Sequence, residues 1–329
     1  MEKPVIAITM GDPAGVGPEL IVKVLSQEAT HQSCRPLVIA DPEVMRGAGK
    51  LLGSGLRFRD VEHPAEARFS PPDVDVLRPA SLHVDRVVWG RVDPAMGKAA
   101  TVCLEKAYEL ATAGQVDGVV AAPMNKQAFH LAGYDYFDEL EYLADLTKSP
   151  DAYILGAISP SLWTVSVTAH VPFRDIAGLV KRDRVLTYIR RLDGVLRRVG
   201  LATPRIGVVA LNVHGGEGGL FGREEIDEIG PAIEAARSLG VDAVGPCPAD
   251  TVFARAKGGE FDGLVCMYHD HANTGRKLLA TLRGATIYMG LPVVCGTTAH
   301  GTAFDKAGKG VASSGSLEDA LRYTVMLSG

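Results

Sequence analysis

Three histidines of the 329-residue sequence stand in matching contexts. His170, His214 and His269 each follow a run of apolar and β-branched residues of the kind that forms a buried strand. A residue in that position lies at the carboxyl end of its strand, where open α/β sheets bind their ligands. Three neutral imidazoles that converge there form a divalent-metal site with positions left for substrate. A single histidine at a strand end is more often structural, and the repeated context favours the metal interpretation.

Two carboxylates and a lysine near these histidines are candidates for acid–base chemistry. Asp270 directly follows His269, and Asp250 lies in a similar turn, so either could orient an imidazole or take part in proton transfer. A capping role at the next helix explains Asp250 about equally well. Lys277 suits an acidic substrate group or a general acid, whereas an isolated lysine is usually a solvated surface residue.

Two glycine-rich segments are candidate ligand loops. Residues 11–19 lead from an apolar run into a helix that begins near Pro18, and could present backbone N–H groups to an anion; an ordinary tight turn is the simpler explanation. Residues 300–310 allow close approach of a flat ligand, and Asp305 could accept a hydrogen bond from a ribose hydroxyl, which favours NAD over NADP. A loop that leads into a helix, with Asp305 as its cap, is the alternative. The sequence contains no Walker A or GxGxxG motif, which disfavours a conventional Rossmann site.

The elements that must position these residues alternate along the chain. Runs with both faces apolar are typical of a buried, largely parallel sheet, and the clearest amphipathic stretches, residues 97–113 and 182–199, predict helices. The predicted fold class is therefore α/β with three layers. The strand runs are residues 5–10, 36–40, 116–122, 152–157, 164–168, 205–211, 263–268 and 285–289.

Composition excludes several classes of function. The charge balance of 34 basic and 39 acidic residues gives −5, and the basic clusters are isolated, so we expect no nucleic-acid partner. No apolar stretch approaches about 18 residues, and the first residues lack a signal-peptide pattern, so we expect a cytoplasmic protein without a membrane partner. The five cysteines are odd in number and widely spaced, as expected for buried thiols in a reducing compartment.

A set of motifs resembles one known family over nearly the whole chain. The motifs are MGDPAGVGPE at 10–19, APMNK at 122–126, LNVHGGEGGLFG at 211–222, GPCPADT at 245–251, YHD at 268–270 and HGTAFD at 300–305. Together they closely resemble the 4-hydroxythreonine-4-phosphate dehydrogenase (PdxA) family. The loop at 300–310 is also similar to the adenosine-binding loop of isocitrate and isopropylmalate dehydrogenases.

The resemblance implies a three-layer α/β/α two-domain fold similar to those dehydrogenases, with a cleft between the domains. One lobe would comprise residues 1–130 and 285–329, and the other residues 131–284. It also implies a homodimer with a shared active site, and NAD-dependent oxidation of a secondary alcohol beta to a carboxylate, followed by decarboxylation. The metal, which could be Zn, Co, Ni, Mn or Mg, would be bound by His170, His214 and His269. The implied cofactor residues are His300, Gly301, Thr302, Ala303 and Asp305.

The family's substrate-binding residues are partly replaced. Lys277 matches a substrate-binding lysine, but Glu139 and Leu140 stand in place of His and Thr, and Thr286 and Cys295 in place of Asn and Arg. Lost donors and an added carboxylate disfavour phosphate. We therefore expect a substrate other than the family's usual phosphate ester, such as a carboxylated cis-dihydrodiol or a sugar-acid derivative. The alternatives are a true 4-hydroxythreonine-4-phosphate dehydrogenase of pyridoxal phosphate biosynthesis and a non-catalytic metal- or nucleotide-binding relative.

Overall fold

The computed structural model describes residues 2–280 and 282–329, which form two compact units. Unit 1 combines the chain up to Tyr153 with Ala285–Gly329, and unit 2 is Ile154–Gly284. The first junction therefore lies after residue 153, whereas the sequence placed it after residue 130. Residues 131–153 belong with unit 1 because the ring of Tyr134 stacks on Phe129 at 4.9 Å and the ring of Tyr142 meets Phe129 edge-on at 5.7 Å.

Unit 1 contains a largely parallel sheet with helices between its strands. The strand order is β3-β4-β2-β1-β5-β12-β11, and within it only the β11–β12 pair is antiparallel. Its strands are β1 (Val5–Thr9), β2 (Arg35–Ile39), β3 (Arg57–Val61), β4 (Asp73–Leu77), β5 (Gly118–Ala121), β11 (Ala285–Met289) and β12 (Cys295–Thr298). Its helices are α1 (Gly17–Leu25), α2 (Glu28–Ser33), α3 (Pro42–Leu51), α4 (Pro94–Thr112), α5 (Lys126–Leu131), α6 (Glu139–Leu146) and α12 (Gly315–Leu327).

Unit 2 has the same alternating character. Its strands follow the order β6-β7-β10-β8-β9, with β6 and β7 antiparallel and the other neighbours parallel. The strands are β6 (Tyr153–Ser159), β7 (Leu162–Ser166), β8 (Arg205–Val209), β9 (Asp242–Cys247) and β10 (Gly263–Cys266). The helices are α7 (Ile176–Leu179), α8 (Arg182–Arg198), α9 (Gly230–Ser238), α10 (Ala249–Lys257) and α11 (His269–Leu279).

The α/β fold class is confirmed, with helices on both sides of the strands. Both helices predicted from periodicity are present as α4 and α8, and in α8 the apolar stripe is buried: its members Val185, Ile189, Leu192 and Leu196 are all inaccessible to solvent. Among the residues described, none of the helices combines the length and the apolar character that crossing a membrane requires.

Each predicted strand run contains a strand, but β3, β4, β9 and β12 were missed. β3 has the sequence RFRDV and β4 the sequence DVDVL, in which charged residues break the apolar run. Asp75 of β4 is nonetheless buried, because it pairs with Arg59 of β3 and accepts the backbone N–H groups of Arg68 and Phe69 at 2.8 Å. The apolar-run criterion fails where specific partners stabilise a buried charge.

The turn between β1 and α1 packs directly against two other segments of unit 1. The N–H of Asp12 donates to the Pro123 carbonyl at 2.9 Å, and the N–H of Val16 donates to the Thr302 carbonyl at 3.0 Å. A Cβ atom on Gly11 would lie 2.5 Å from the Pro123 oxygen, and one on Gly15 would lie 2.9 Å from Thr302 Cβ. Glycine is therefore required for the segments at 11–17, 122–126 and 300–305 to meet.

Replacement of Gly11 by alanine measures this close approach. Gly11 has φ +65°, so Gly11→Ala carries the left-handed backbone cost of about 1 kcal/mol and also a clash with the Pro123 carbonyl. We expect a loss of at least about 3 kcal/mol, or several degrees in Tm. Gly53→Ala is the matched control, because Gly53 has φ +59° and open space around it. Equal Tm losses in the two variants would refute the packing argument.

Candidate active site

Parallel strands of unit 2 bring two of the predicted histidines together. β7 and β8 both pair in parallel with β10, so the segments that follow them leave from the same edge. His170 follows β7, and His269 is the first residue of α11 after β10. Their rings lie 5.6 Å apart between centroids, at an interplanar angle of 43°. The two predicted ligands are therefore neighbours at this edge of the strands.

The tautomer of His269 is set by its neighbour. Its Nδ1 lies 2.7 Å from Asp270 Oδ1, which leaves Nε2 available as a ligand atom. Both side chains are exposed at the start of α11. A carboxylate behind an imidazole fixes the orientation of the ring, as in many metal sites of proteins.

His214 lies in a separate loop and has a different partner. Its Nδ1 is 3.2 Å from Glu217 Oε1, and residues 214–218 all have positive φ. The base of the loop is fixed by Glu225, whose carboxylate accepts the N–H groups of Leu211 at 2.8 Å and Asn212 at 2.7 Å. In the described part of the chain no three His, Cys, Asp or Glu side chains form a group that could hold a metal ion. The structure thus assembles two of the three predicted ligands, and the complete set stays a prediction.

The acid–base candidates of unit 2 are exposed, Asp250 at the start of α10 and Lys277 in the last turn of α11. Asp250 lies in the first turn of α10, and that helix has no side-chain cap, so the capping alternative for Asp250 does not apply. Lys277 is exposed on α11, eight residues and about 12 Å of helix beyond His269. Arg276 is buried, with Cδ 2.8 Å from the position of a Cβ on Gly156.

The replaced substrate residues of unit 1 gather around β11 and β12. Tyr288 and Cys295 are directly opposite in the antiparallel pair, and the Tyr288 hydroxyl lies 3.5 Å from Glu139 Oε2. Burial raises the pKa of Glu139, an effect that the Lys126 cation opposes. Cys295 is fully buried, and burial raises the pKa of its thiol to about 12.

Leu140 and Thr286 differ in exposure. Leu140 is buried in α6, and Thr286 is partly exposed in β11, opposite Thr297 of β12. Of the four replaced positions, Glu139 and Thr286 therefore retain some accessible surface, whereas the side chains of Leu140 and Cys295 pack inside unit 1.

The loop at 300–310 is ordered by contacts within unit 1. His300 is exposed, with Nδ1 2.8 Å from the Gly301 carbonyl, while Thr302 is buried and Ala303 has φ +44°. Asp305 is exposed and ten residues before α12, so it does not cap that helix. Its side chain is accessible to solvent, and its hydrogen bond to a ribose hydroxyl stays a prediction.

Two buried acids, Asp12 in the β1–α1 turn and Glu19 in the first turn of α1, lie in the motif at 10–19 but were assigned no role from the sequence. Glu19 is satisfied, because its carboxylate accepts two backbone N–H groups. Asp12 is not: Oδ1 accepts the Ala14 N–H at 2.9 Å, but Oδ2 has no hydrogen-bond partner among the described residues. Burial, together with the nearby Asp93 carboxylate, raises the pKa of Asp12 to about 6. The only sequence signal for either acid was its place in the glycine-rich segment at 11–19.

Comparisons with known proteins agree along the whole chain. Residues 32–324 match the family described as "Pyridoxal phosphate biosynthetic protein PdxA". The chain is 42% identical to D-threonate 4-phosphate dehydrogenase of Cupriavidus necator, covering 99% of this chain and 97% of that protein. It is 40% identical to the D-threonate 4-phosphate dehydrogenase of Salmonella typhimurium, with full coverage of both.

Solved structures of dehydrogenases are also similar to this chain along nearly its whole length. A putative 4-hydroxythreonine-4-phosphate dehydrogenase from Salmonella typhimurium superposes with a TM-score of 0.85 at 39% identity, covering 99% of this chain and all of that one. A terephthalate 1,2-cis-dihydrodiol dehydrogenase from Burkholderia xenovorans has a TM-score of 0.68 at 30% identity, covering 99% and 98%.

Asp12 gives the structure a specific pH dependence. A carboxyl whose pKa rises from 3.8 to about 6 on folding is protonated more readily in the folded state, so its ionisation lowers stability as pH rises through that window. At pH values well above 6, this ionisation lowers the free energy of unfolding by roughly 3 kcal/mol. Asp12→Asn should therefore gain about 1.4 kcal/mol more, relative to wild type, at pH 7.5 than at pH 5. Tm values at the two pH values measure this; the same gain in Asp85→Asn, at an exposed carboxyl, would contradict it.

Proposed function

The chain belongs to the family of the pyridoxal phosphate biosynthetic protein PdxA, and from that membership we propose that it is a dehydrogenase of a phosphorylated hydroxy acid of the D-threonate 4-phosphate type. The observation that carries the proposal is the His170–His269 pair at the ends of β7 and β10, with Asp270 behind it, in a chain that relatives of that name match from end to end. This substrate is a sugar-acid derivative and not the vitamin B6 precursor.

The proposed reaction balances with NAD as the hydride acceptor. Carbon 3 of D-threonate 4-phosphate, beta to the carboxylate, loses its hydrogen as hydride to NAD⁺ and its hydroxyl proton to a base. The resulting 3-oxo acid releases CO₂, and the electron pair of the broken bond passes into the carbonyl to form an enolate. Protonation of carbon 2 then gives dihydroxyacetone phosphate, NADH and CO₂.

The chain's own residues supply position and proton transfer. His269 is held by Asp270 with Nε2 outward, and the exposed Asp250 and Asp270 are the proposed proton acceptors. Lys277 would pair with an acidic group of the substrate. A divalent ion bound by His170, His214 and His269 would act as a Lewis acid that lowers the pKa of the alcohol and polarises the new carbonyl.

The environment of Glu139 bears on phosphate binding. The sequence suggested that a carboxylate here would repel a phosphate. In the structure Glu139 is partly buried beside Tyr288, its pKa is raised by burial, and the Lys126 cation lies nearby. A carboxyl that is protonated more readily, next to a lysine, repels a phosphate less than a free carboxylate. Glu139 is therefore compatible with the phosphorylated substrate that the relatives' names favour.

A carboxylated cis-dihydrodiol is the second candidate substrate. It is favoured by Leu140 and Cys295, whose buried side chains offer no cation at positions where the family resemblance implies phosphate donors. It is also the substrate class named for the Burkholderia xenovorans enzyme. The expectation of a phosphate-free substrate stays a prediction, and a substrate panel separates the two candidates.

We also propose a homodimer. Unit 2 exposes large apolar side chains, among them Phe173 at 77%, Leu220 at 75% and Phe221 at 50%. Exposed apolar side chains of this size are candidates for a surface that another protein covers. The proposed partner is a second copy of the chain.

The substrate assignment predicts the outcome of an NADH-release panel. D-threonate 4-phosphate should be oxidised with kcat/KM at least about tenfold above 4-phosphohydroxythreonine, D-threonate and a carboxylated cis-dihydrodiol, with dihydroxyacetone phosphate as product; tenfold is the discrimination expected from one lost charged contact. Lys277→Met should lose this turnover, whereas Lys257→Met, at an exposed lysine of α10, should retain it. Preference for the dihydrodiol would select the second candidate, and no NADH from any substrate would favour a non-catalytic protein.

The metal assignment predicts that His214 is needed for metal retention. His214→Ala should lower bound divalent metal, measured by elemental analysis after dialysis, by more than about tenfold and abolish turnover, because two imidazoles hold an ion weakly. His83→Ala, at an exposed histidine of unit 1, is the control. Both variants should have the same mass as wild type in sedimentation analysis. For the proposed dimer, that mass is twice the mass of one chain. If His214→Ala kept the metal content and the activity of wild type, His214 would be excluded as a metal ligand.

A further inference from the structure

Three polar side chains, two on α1 and one just after it, are spaced four residues apart. They form hydrogen bonds to the loop at 305–312 and to α12, the helix that follows it. Glu19 accepts the N–H of Gly308 at 2.6 Å and that of Gly310 at 2.8 Å. Lys23 donates to the Gly310 carbonyl at 2.8 Å and to the Ala312 carbonyl at 2.6 Å. The amide of Gln27 donates to Glu318 of α12 at 2.7 Å. We call Glu19, Lys23 and Gln27 the α1 stripe.

The spacing of the stripe follows from helix geometry. Residues four apart face the same side of a helix, so Glu19 and Lys23 present a carboxylate and an ammonium to neighbouring points of the same loop. Glu19 is only 3% exposed, and its side-chain oxygens accept N–H groups from two residues with φ +75° and +68°. Alternate N–H groups that converge on one anion form a nest, and here a side chain of the protein fills it.

Residues 300–314 contain turns but no helix or strand. Two backbone hydrogen bonds lie within the loop, from the Lys306 N–H to the Ala303 carbonyl at 2.8 Å and from the Lys309 N–H to the Lys306 carbonyl at 3.3 Å. Other backbone groups of the loop, such as the Gly308 and Gly310 N–H groups, take their partners from elsewhere in unit 1. At the other end of the loop the Thr302 carbonyl accepts the N–H of Val16, directly before α1. The Trp89 ring covers Gly308, where a Cβ would lie 2.0 Å from Cε3. Both ends of the segment that carries Asp305 are therefore anchored to α1 or the turn before it.

We propose that Glu19 and Lys23 are positioning residues that hold the loop in the shape that binds the nicotinamide cofactor, an inference that rests on the proposed function of this loop. The Gly308 and Gly310 N–H groups are occupied by Glu19, so they do not serve the cofactor's phosphates. The stripe instead fixes the direction in which Asp305 and the small residues before it face solvent. Its loss should weaken cofactor binding without changing the chemical step.

The test compares Glu19→Gln and Lys23→Met with wild type. Glu19→Gln places an NH₂ group where a carboxylate oxygen accepted a backbone N–H. Lys23→Met keeps the aliphatic part of the side chain but loses the hydrogen bonds to the Gly310 and Ala312 carbonyls. We expect the Kd for NADH, measured by titration calorimetry, to rise about tenfold in the first and severalfold in the second, the scale of one or two lost charged hydrogen bonds. KM for NAD should rise in parallel, with kcat within about twofold of wild type.

An independent readout follows the loop without cofactor. Lys306 and Lys309 are exposed trypsin sites inside it, so cleavage of ligand-free protein at these lysines should accelerate in both variants. Glu43→Gln, which removes one partner of an exposed ion pair with Arg46 on α3, is the control and should match wild type in every measurement.

Each outcome decides between distinct conclusions. NADH affinity within about twofold of wild type in both folded variants would overturn the positioning role while leaving the proposed function intact. A fall in kcat with unchanged KM would overturn it as well. If wild-type protein binds no NADH, the cofactor assignment fails, and with it the cofactor part of this inference; the cleavage rates then report only whether the stripe holds the loop.

Discussion

The direct backbone contact of the β1–α1 turn with its neighbours is the constraint on which the loops of unit 1 depend. Gly11 leaves no room for a Cβ beside the Pro123 carbonyl, and the Thr302 carbonyl takes the N–H of Val16. Three segments far apart in sequence meet in this way at the ends of adjacent strands β1, β5 and β12. Backbone hydrogen bonds join these segments, so their positions depend on exact main-chain geometry.

Two buried acids of this turn and of helix α1 differ in their hydrogen-bond partners. Glu19 accepts two backbone N–H groups, from Gly308 and Gly310, and so anchors another loop. Asp12 lies seven residues earlier with one oxygen unpartnered and Asp93 nearby, and its pKa rises to about 6. The difference is the number of donors that each carboxylate meets, since ionisation inside a protein is tolerated only where hydrogen bonds replace water.

The sequence predicted what periodicity and chain order determine. The α/β class, α4, α8 and the strands with uninterrupted apolar runs were all found, and His170 and His269 meet because parallel strands end at one edge. It missed β3 and β4, where ion pairs replace apolar alternation. It also missed the contact of Glu19 with Gly308 and Gly310, because residues 289 and 291 positions apart are joined only by tertiary packing. The proposed roles of Thr286 and Cys295 came from a resemblance, whereas the burial of Cys295 agrees with the buried thiols that the number and spacing of the cysteines predict.

The backbone strain of the chain lies partly in its candidate ligand loops. Of the described non-glycine residues with positive φ, His214 and Glu217 lie in the loop after β8, and Ala303 lies in the loop after β12. Each such residue costs of the order of 1–3 kcal/mol and persists only where surrounding contacts fix it. Glu225 fixes the first loop by binding its base, and the Thr302–Val16 hydrogen bond helps to fix the second. Strain that is held by dedicated contacts is typical of loops that present side chains to a ligand, which agrees with placing a metal ligand in one and cofactor contacts in the other.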